Sequence, residues 1–154
     1  MTGRSDLPSN RRRVRRVYVL ALVFAFGLFL FHTVLLFDIA AVMVHAETWL
    51  TELLGKHRYG KAIILGCFCF LFAGYVAEAA AWALFLRWQR LVPTVSDDLY
   101  FAAVTITTLG YGDVVLPTPW RQLGPLMAIA GILKFGCSTA LLFVLMQAVW
   151  IRNL

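Results

Sequence analysis

The sequence has little charge and lacks the residue patterns of a disulfide-bonded or metal-binding domain. Charged residues make up 14% of its 154 residues, whereas hydrophobic residues make up 61%. A soluble domain of this length needs a far more polar surface, so this composition excludes one. The three cysteines are odd in number and lie in apolar segments, which excludes a disulfide framework. The three histidines are scattered without the spacing of a metal site.

Other functional signatures are missing as well. The chain has no glycine-rich phosphate loop, no internal repeat and no apolar segment with arginine at every third position. These absences exclude phosphate-loop enzymes, repeat proteins and voltage-sensing helices. The positive charge is concentrated, because six arginines lie within the first sixteen residues of a chain whose net charge is +6. A basic run beside an apolar segment indicates contact with anionic lipid headgroups rather than with nucleic acid.

Three apolar segments are long enough to cross a membrane. They comprise residues 17–37, 62–86 and 123–150, and few polar groups interrupt them. A membrane-spanning helix needs about 20 apolar residues, so all three qualify. The first segment follows a basic start, as in a signal peptide, but it exceeds the usual apolar length and is predicted to be retained. The predicted fold class is therefore an all-α membrane protein.

A short helix is predicted between the second and third segments. Ser96, which follows Pro93, is the expected N-cap of a helix over residues 96–107. Asp97 and Asp98 fall in its first turn, where anionic groups suit the helix dipole. About eleven helical residues cover roughly 16 Å, which is half a membrane. The chain is therefore predicted to enter the membrane and return, with the negative C-terminal end of the helix aimed at the membrane centre.

The segment after this helix carries the most specific motif, because residues 105–113 read TITTLGYGD. Backbone without helix or closed sheet is tolerated at membrane depth only inside protein or beside water. The two glycines allow backbone angles that other residues resist. An extended strand of this kind can aim successive carbonyl oxygens at an axis. Rings of such oxygens replace the hydration shell of potassium in channels that carry the near-identical string TVGYG.

Residues 62–142 resemble the pore module of the tetrameric potassium channels. Residues 130–140, AGILKFGCSTA, are similar to the AGIxxFGxxTA stretch of a bacterial two-helix channel, and Trp120-Arg121 is similar to its Trp-x-Arg region. The resemblance implies three regions in chain order: a basic tail (1–16), a first transmembrane helix with its linker (17–61) and a pore domain (62–154). Within the pore domain it implies an outer helix (62–86), a pore helix (96–107), a filter (108–112) and an inner helix (121–150).

The resemblance also implies a homotetramer and roles for individual residues. Each chain would supply one filter strand, with K+ on the filter oxygens and no other metal or cofactor. Leu109 replaces the commoner valine, but its carbonyl serves equally. Gly131 matches the hinge glycine of the inner helix, and Gly136 matches a second flexible or close-packing point. The implied ion-binding residues are Thr108, Leu109, Gly110, Tyr111 and Gly112, and the implied cavity and gate residues are Gly131, Ile132, Phe135, Gly136 and Thr139.

The support behind the filter departs from that of some relatives. Val104 occupies the pore-helix position where some relatives carry a glutamate that pairs with the aspartate matching Asp113. Asp113 therefore lacks that partner here, and Tyr100 is a candidate hydrogen-bond donor in its place. Thr107 completes the implied set of filter-supporting residues.

Glu78 and Lys134 are ionisable groups inside predicted spans, where a charge is costly unless it finds a partner or water. At about 100° per residue, Lys134 points roughly 130° away from the mean direction of the cavity residues. We therefore predict an ion pair between Lys134 and Glu78. The alternative is that both groups extend independently toward water.

The predicted function is passive, selective potassium conduction by a protein that is not an enzyme, in a bacterial plasma membrane. Two alternatives stay open: a non-conducting subunit or scaffold that keeps the pore fold, and a proton-coupled carrier that uses Glu78, Lys134 and His32. A filter that faces outward places the basic N-terminus outside, against the positive-inside rule. The conflict would disappear if the first segment lay at the interface or spanned incompletely.

Overall fold

The computed structural model describes residues 7–54 and 56–153, and these residues form helices and turns but no strand. Three helices are long and apolar enough to cross a membrane, over Arg11–Val42, Tyr59–Gln89 and Trp120–Ile151. The prediction of an all-α membrane protein is thereby confirmed. In chain order the elements are α1 (Leu7–Leu54), α2 (Lys56–Gln89), α3 (Val95–Ile106), a 3₁₀ turn (Trp120–Gln122) and α4 (Leu123–Asn153).

The first two helices extend well beyond the apolar segments that predict them. Residues 7–16 are helical where the sequence predicts a basic tail, and α1 continues through Leu54. α2 already begins at Lys56, so most of the predicted linker is helical too. Apolar runs mark only the part of a helix that can cross a membrane, whereas arginine, glutamate and lysine are good helix formers outside it. Pro8 lies in the first turn of α1, where proline is tolerated.

α2 ends in a Schellman motif that turns the chain toward α3. Arg90 has a left-handed backbone with φ 54°. Its N–H donates to Arg87 O at 3.0 Å, and the Leu91 N–H donates to Leu86 O at 3.1 Å. These two bonds satisfy the last carbonyls of the helix. Pro93 then prevents the helix from resuming.

The N-cap of α3 is Thr94, and the prediction of Ser96 is wrong. The Thr94 side chain accepts a hydrogen bond from the Asp97 N–H at 3.1 Å, and its backbone is extended. The Thr94 carbonyl accepts from the Asp98 N–H at 3.0 Å, so helical bonding starts two residues before Ser96. Thr94 carries a hydroxyl like Ser96, and it was not considered in the sequence analysis. Asp97 and Asp98 lie in the first turn, as predicted.

The described residues divide into two compact units. The first, called here the filter unit, comprises residues 7–29 and 78–132 and contains α3 and the filter. Aromatic contacts join α1 to α2 within it: Phe24 lies edge-on to Trp82 at 5.0 Å and stacks on Phe85 at 5.2 Å. Small residues of α1 are buried in the same core, with Ala21 0% exposed and Ala25 6% exposed.

The second unit comprises residues 30–77 and 133–153. Ile39, Cys67 and Leu71 form its buried core, with partly buried leucines of α1 and α4 around them. Cys67 therefore serves as a small apolar side chain. Leu35 of α1 lies against Gly74 of α2, where an added Cβ would be 3.3 Å from the leucine side chain.

Candidate functional site

α3 lies alongside the first turns of α4 and runs in the same direction. Phe101 is next to Gly124, where an added Cβ would be 3.8 Å from the ring, and Ile106 at the end of α3 meets Gly131. The two glycines are seven residues apart on α4, which corresponds to roughly 10 Å of helix. Residues 107–119 then return to the level of Trp120. The chain thus runs out along α4 and comes back, as the sequence predicts, and the depth of this segment in a membrane stays a prediction.

Gly131 is a point of very close approach between α4 and α3. A Cβ built on Gly131 would lie 2.0 Å from the Ile106 carbonyl oxygen and 2.9 Å from its carbonyl carbon. Any side chain at this position would therefore collide with the backbone at the end of α3. The sequence predicts a hinge here, and α4 is one continuous helix through Gly131. The structure gives this glycine a packing role, while its part in gating stays a prediction.

The predicted filter has a backbone whose φ is positive at every second residue. Among the described residues of this segment, φ is positive at Thr108 (60°), Gly110 (46°) and Gly112 (81°), but not at Leu109 or Tyr111. In an ordinary strand successive carbonyls point to opposite sides. Alternation between right- and left-handed angles instead turns successive carbonyls toward one side. The positive φ values at alternate residues are the backbone feature that such a row of oxygens requires, and the row itself stays a prediction.

Thr108 is the strained member of this row. A β-branched residue at φ 60° is an outlier, because its side chain crowds the backbone in the left-handed region. Such conformations cost about 1–3 kcal/mol and persist only where the surroundings hold them. Two local hydrogen bonds help to hold this one: the Thr108 N–H donates to Thr105 O at 3.0 Å, and the Gly110 N–H donates to Val104 O at 3.0 Å.

The residue that follows the filter is tied back to α3. Tyr100 Oη donates to Asp113 Oδ2 at 2.6 Å, which is the contact suggested by the sequence. The Val114 N–H donates to Asp113 Oδ1 at 3.0 Å. The bond from Tyr100 lowers the pKa of Asp113 and, in the same way, raises the pKa of Tyr100. The carboxylate therefore stays ionised, and the phenol stays protonated, over a wide range of pH.

The filter is exposed on the single chain. Every residue from 107 to 113 is exposed, including Leu109 at 55% and Tyr111 at 69%. Both of these large side chains are therefore uncovered on the single chain.

Comparison with known proteins identifies the family of this chain. The family model described as "Ion channel" matches residues 62–148, which is more than half of the chain. The chain belongs to this ion-channel family. The match confirms the potassium-channel pore family to which the filter motif points. The matched residues include α3, the filter and most of α4, whereas all of α1 lies outside the match.

Two curated relatives are similar to part of this channel chain. They are the potassium voltage-gated channel subfamily A member 6 of Mus musculus and that of Rattus norvegicus. Each is 36% identical over 86 residues, covering 53% of this chain and 16% of the relative. The chain thus matches only a small part of either relative. No solved structure matches the chain significantly.

Of the predicted cavity and gate residues on α4, Gly131 is buried against α3 and the other four are exposed. Ile132 is 58% exposed and Phe135 65% exposed, and Gly136 and Thr139 are exposed as well. Lys134 is 0% exposed, so it faces away from these residues, as the helix arithmetic predicts. The described part of the channel therefore does not present Lys134 to the predicted ion path.

Glu78 is also buried, at 3% exposed, and its pairing with Lys134 stays a prediction.

His32 is engaged in a hydrogen bond that the sequence did not reveal. Its Nε2 lies 2.8 Å from Ser138 Oγ, and Tyr75 Oη lies 3.1 Å from the same hydroxyl. Ser138 was not singled out from the sequence. Its position four residues after Lys134, on the same side of α4, was the available signal.

Asp98 is a second residue whose surroundings the sequence did not reveal. Its side chain is 1% exposed, and neither carboxyl oxygen has a hydrogen-bond partner among the described residues. Burial raises the pKa of Asp98, and the charge of nearby Arg87 offsets part of that rise. In sequence Asp98 was only an acidic residue in the first turn of a helix, and nothing local showed that it turns into the core.

Proposed function

We propose that four copies of this channel chain surround one axis and conduct potassium passively and selectively through residues 108–112. The observation that carries the proposal is the alternating φ of the filter at the end of a re-entrant helix. Four such strands would give stacked rings of carbonyl oxygens, with the Thr108 hydroxyl at one end. A potassium ion could exchange its hydration water for these oxygens at little cost.

The end of α3 supports ion entry into the filter. The last carbonyls of a helix carry the negative end of its dipole, and α3 ends at Ile106, two residues before the filter. Because Gly131 lets α3 approach α4 so closely, this end is held at a fixed depth. Four helix ends around one axis would favour a cation on that axis.

Exposure on the single chain supports the tetramer. Residues 107–113 and the side of α4 that carries Ile132 and Phe135 are exposed, although much of this surface is apolar. Large exposed apolar surfaces mark contact with other chains or with lipid. A filter strand in contact with lipid would leave backbone groups unsatisfied, so other copies of the chain are the fitting cover.

The filter unit has a basic end that fits anionic lipid headgroups. Arg13 lies over the Trp120 ring at 5.7 Å, so the start of α1 is at the same end as the start of α4. We propose that this end faces outward in a bacterial plasma membrane, among phosphate headgroups. The exposed arginines of the filter unit are Arg11, Arg12, Arg13, Arg15, Arg16, Arg87, Arg90 and Arg121.

Flux from liposomes tests the proposed function. Purified protein in potassium-loaded vesicles should release potassium down its gradient, with little sodium flux and with block by barium. Gly110→Ala should abolish selectivity or all flux, because alanine is strained at φ 46°. Gly27→Ala is the matched control, since that glycine has open space and no positive φ, and it should conduct like the wild type.

The same experiment separates the alternatives. A scaffold would give no flux although it forms tetramers, and a carrier would give flux that depends on a proton gradient and on Glu78 or His32. Selective flux from Gly110→Ala tetramers would show that the filter assignment is wrong. No catalytic role is proposed.

A further inference from the structure

The first turns of α1 are bonded to the segment that joins the filter to α4. Tyr18 Oη donates to Pro119 O at 2.6 Å, across 101 residues of sequence. The Tyr18 ring lies 6.3 Å from the Trp120 ring, and the Arg13 guanidinium lies 5.7 Å above that ring. All of these residues belong to the filter unit.

The joining segment, residues 114–120, is anchored rather than free. Leu116 is 2% exposed and Trp120 is 8% exposed, and both belong to the core of the filter unit. The Trp120 N–H closes a turn onto Pro117 O at 2.7 Å. The near end of the segment is fixed by Asp113 and its bond from Tyr100. The far end is the place where α1 makes its contacts.

A strained and exposed strand depends on how its two ends are held. The filter begins at Thr108, which α3 holds directly, and it continues into the joining segment. Residues in sparsely populated backbone conformations persist only where neighbouring structure over-determines them. Loosening Pro119 therefore gives the filter room to relax out of its alternating conformation.

We propose that Tyr18, assisted by Arg13, is a positioning residue that holds the filter in its conducting conformation through Pro119 and Trp120. This inference rests on the proposed function. Tyr18 and Arg13 lie outside the part of the chain that matches the family, which begins at residue 62. It assigns a role to α1: this helix braces the outer mouth of the pore. Tyr18 does not touch the ion.

Two pairs of variants of the full chain test the proposal. Tyr18→Phe keeps the ring beside Trp120 and removes only the hydroxyl, and Tyr59→Phe removes a hydroxyl from a buried tyrosine in the second unit. Arg13→Gln removes the cation above Trp120, and Arg12→Gln removes a neighbouring exposed cation. The second pair keeps the test decisive if a tyrosine variant does not fold.

The readouts are ones that a purely structural role would not change. In planar bilayers, Tyr18→Phe should raise the rate of current decay several-fold and lower the potassium-to-sodium permeability ratio. High potassium should slow that decay, because filter occupancy opposes relaxation. In detergent, calorimetry should give weaker potassium binding than for the wild type. Arg13→Gln should show the same changes at smaller size, and both control variants should match the wild type.

The outcomes separate this proposal from the proposed function. If the wild-type protein carries no flux, the proposed function fails, and potassium binding in detergent still tests the role of Tyr18. If Tyr18→Phe and Arg13→Gln match their controls in decay, permeability ratio and potassium affinity, the positioning role is overturned. Equal changes in Tyr18→Phe and Tyr59→Phe would overturn it as well, since they would indicate a general loss of stability.

Discussion

Replacing Gly131 by alanine tests the close approach of α4 to the end of α3. The added Cβ would lie 2.0 Å from the Ile106 oxygen, whereas Cβ atoms essentially never come within 3.0 Å of another heavy atom. The difference, 3.0 minus 2.0 Å, means that α3 and α4 must separate by about 1 Å. The obstacle is backbone, so no side chain can rotate away to relieve it.

The change that Gly131→Ala makes in the free energy of unfolding has two opposing contributions. Extra atoms in a packed core cost about 1–3 kcal/mol, and the rigid contact here puts Gly131→Ala at the upper end. Alanine gains about 1 kcal/mol over glycine as a helix former. The expected result is a net loss of about 2 kcal/mol in the free energy of unfolding. Because Ile106 lies two residues before the filter, potassium conduction should fall as well.

Two other helical glycines provide a graded control for the assay. Gly27 has nothing within 4 Å, so Gly27→Ala should gain up to about 1 kcal/mol. An added Cβ at Gly74 would lie 3.3 Å from a leucine side chain, and that side chain can move. The stability of Gly74→Ala should therefore lie between those of Gly27→Ala and Gly131→Ala. The measurement is equilibrium unfolding in mixed micelles, followed by circular dichroism. A Gly131→Ala protein as stable as Gly27→Ala would refute the close approach of α3 and α4.

Four further substitutions test individual buried side chains of α2, α3 and α4. Val104→Glu places a carboxyl at the pore-helix position where some relatives carry a glutamate. This substitution should introduce or deepen current decay in planar bilayers. Unchanged decay would count against a role of that carboxyl. Glu78→Gln and Lys134→Met should each lower the stability of the tetramer by about 3 kcal/mol, and the double variant by less, because either single change leaves a buried charge unpaired; additive losses in detergent melting would show that the two residues do not interact. Asp98 has a raised pKa, so its carboxyl destabilises the fold as the pH rises from about 4 through that raised value. Asp98→Asn should therefore unfold less readily than the wild type at pH 7 and about equally at low pH, and a wild-type advantage at pH 7 would contradict this account.

Local patterns in the sequence were sufficient for the three apolar helices, and the filter that they point to stays a prediction. Apolar length gives the spans, and the short acidic-capped segment with TLGYGD gives the re-entrant path, because each depends on neighbouring residues only. The ends of the helices were harder to predict from the sequence. Thr94 and Ser96 can both cap α3, and the polar continuations of α1 and α2 carry no apolar signal.

Contacts between distant elements could not be read from the sequence. The packing role of Gly131 depends on where Ile106 lies, and residue spacing along α4 alone does not give that position. The same holds for the bond between Tyr18 and Pro119 and for the burial of Asp98. By contrast, the burial of Lys134 was predictable, because it depends only on the angular spacing of residues within one helix.

The contacts of α1 bear directly on the conflict over orientation. Tyr18 and Arg13 fix the start of α1 to Pro119 and Trp120, so the basic segment lies at the same end of the filter unit as the segment that follows the predicted filter. Moving that segment to the opposite side would break both contacts. It would also expose Val17 and Ala21, which are 2% and 0% exposed. The positive-inside rule is a statistical preference and not a geometric constraint. Here the arginines stay with the filter because the packing of α1 holds them there, whichever side of the membrane the filter faces.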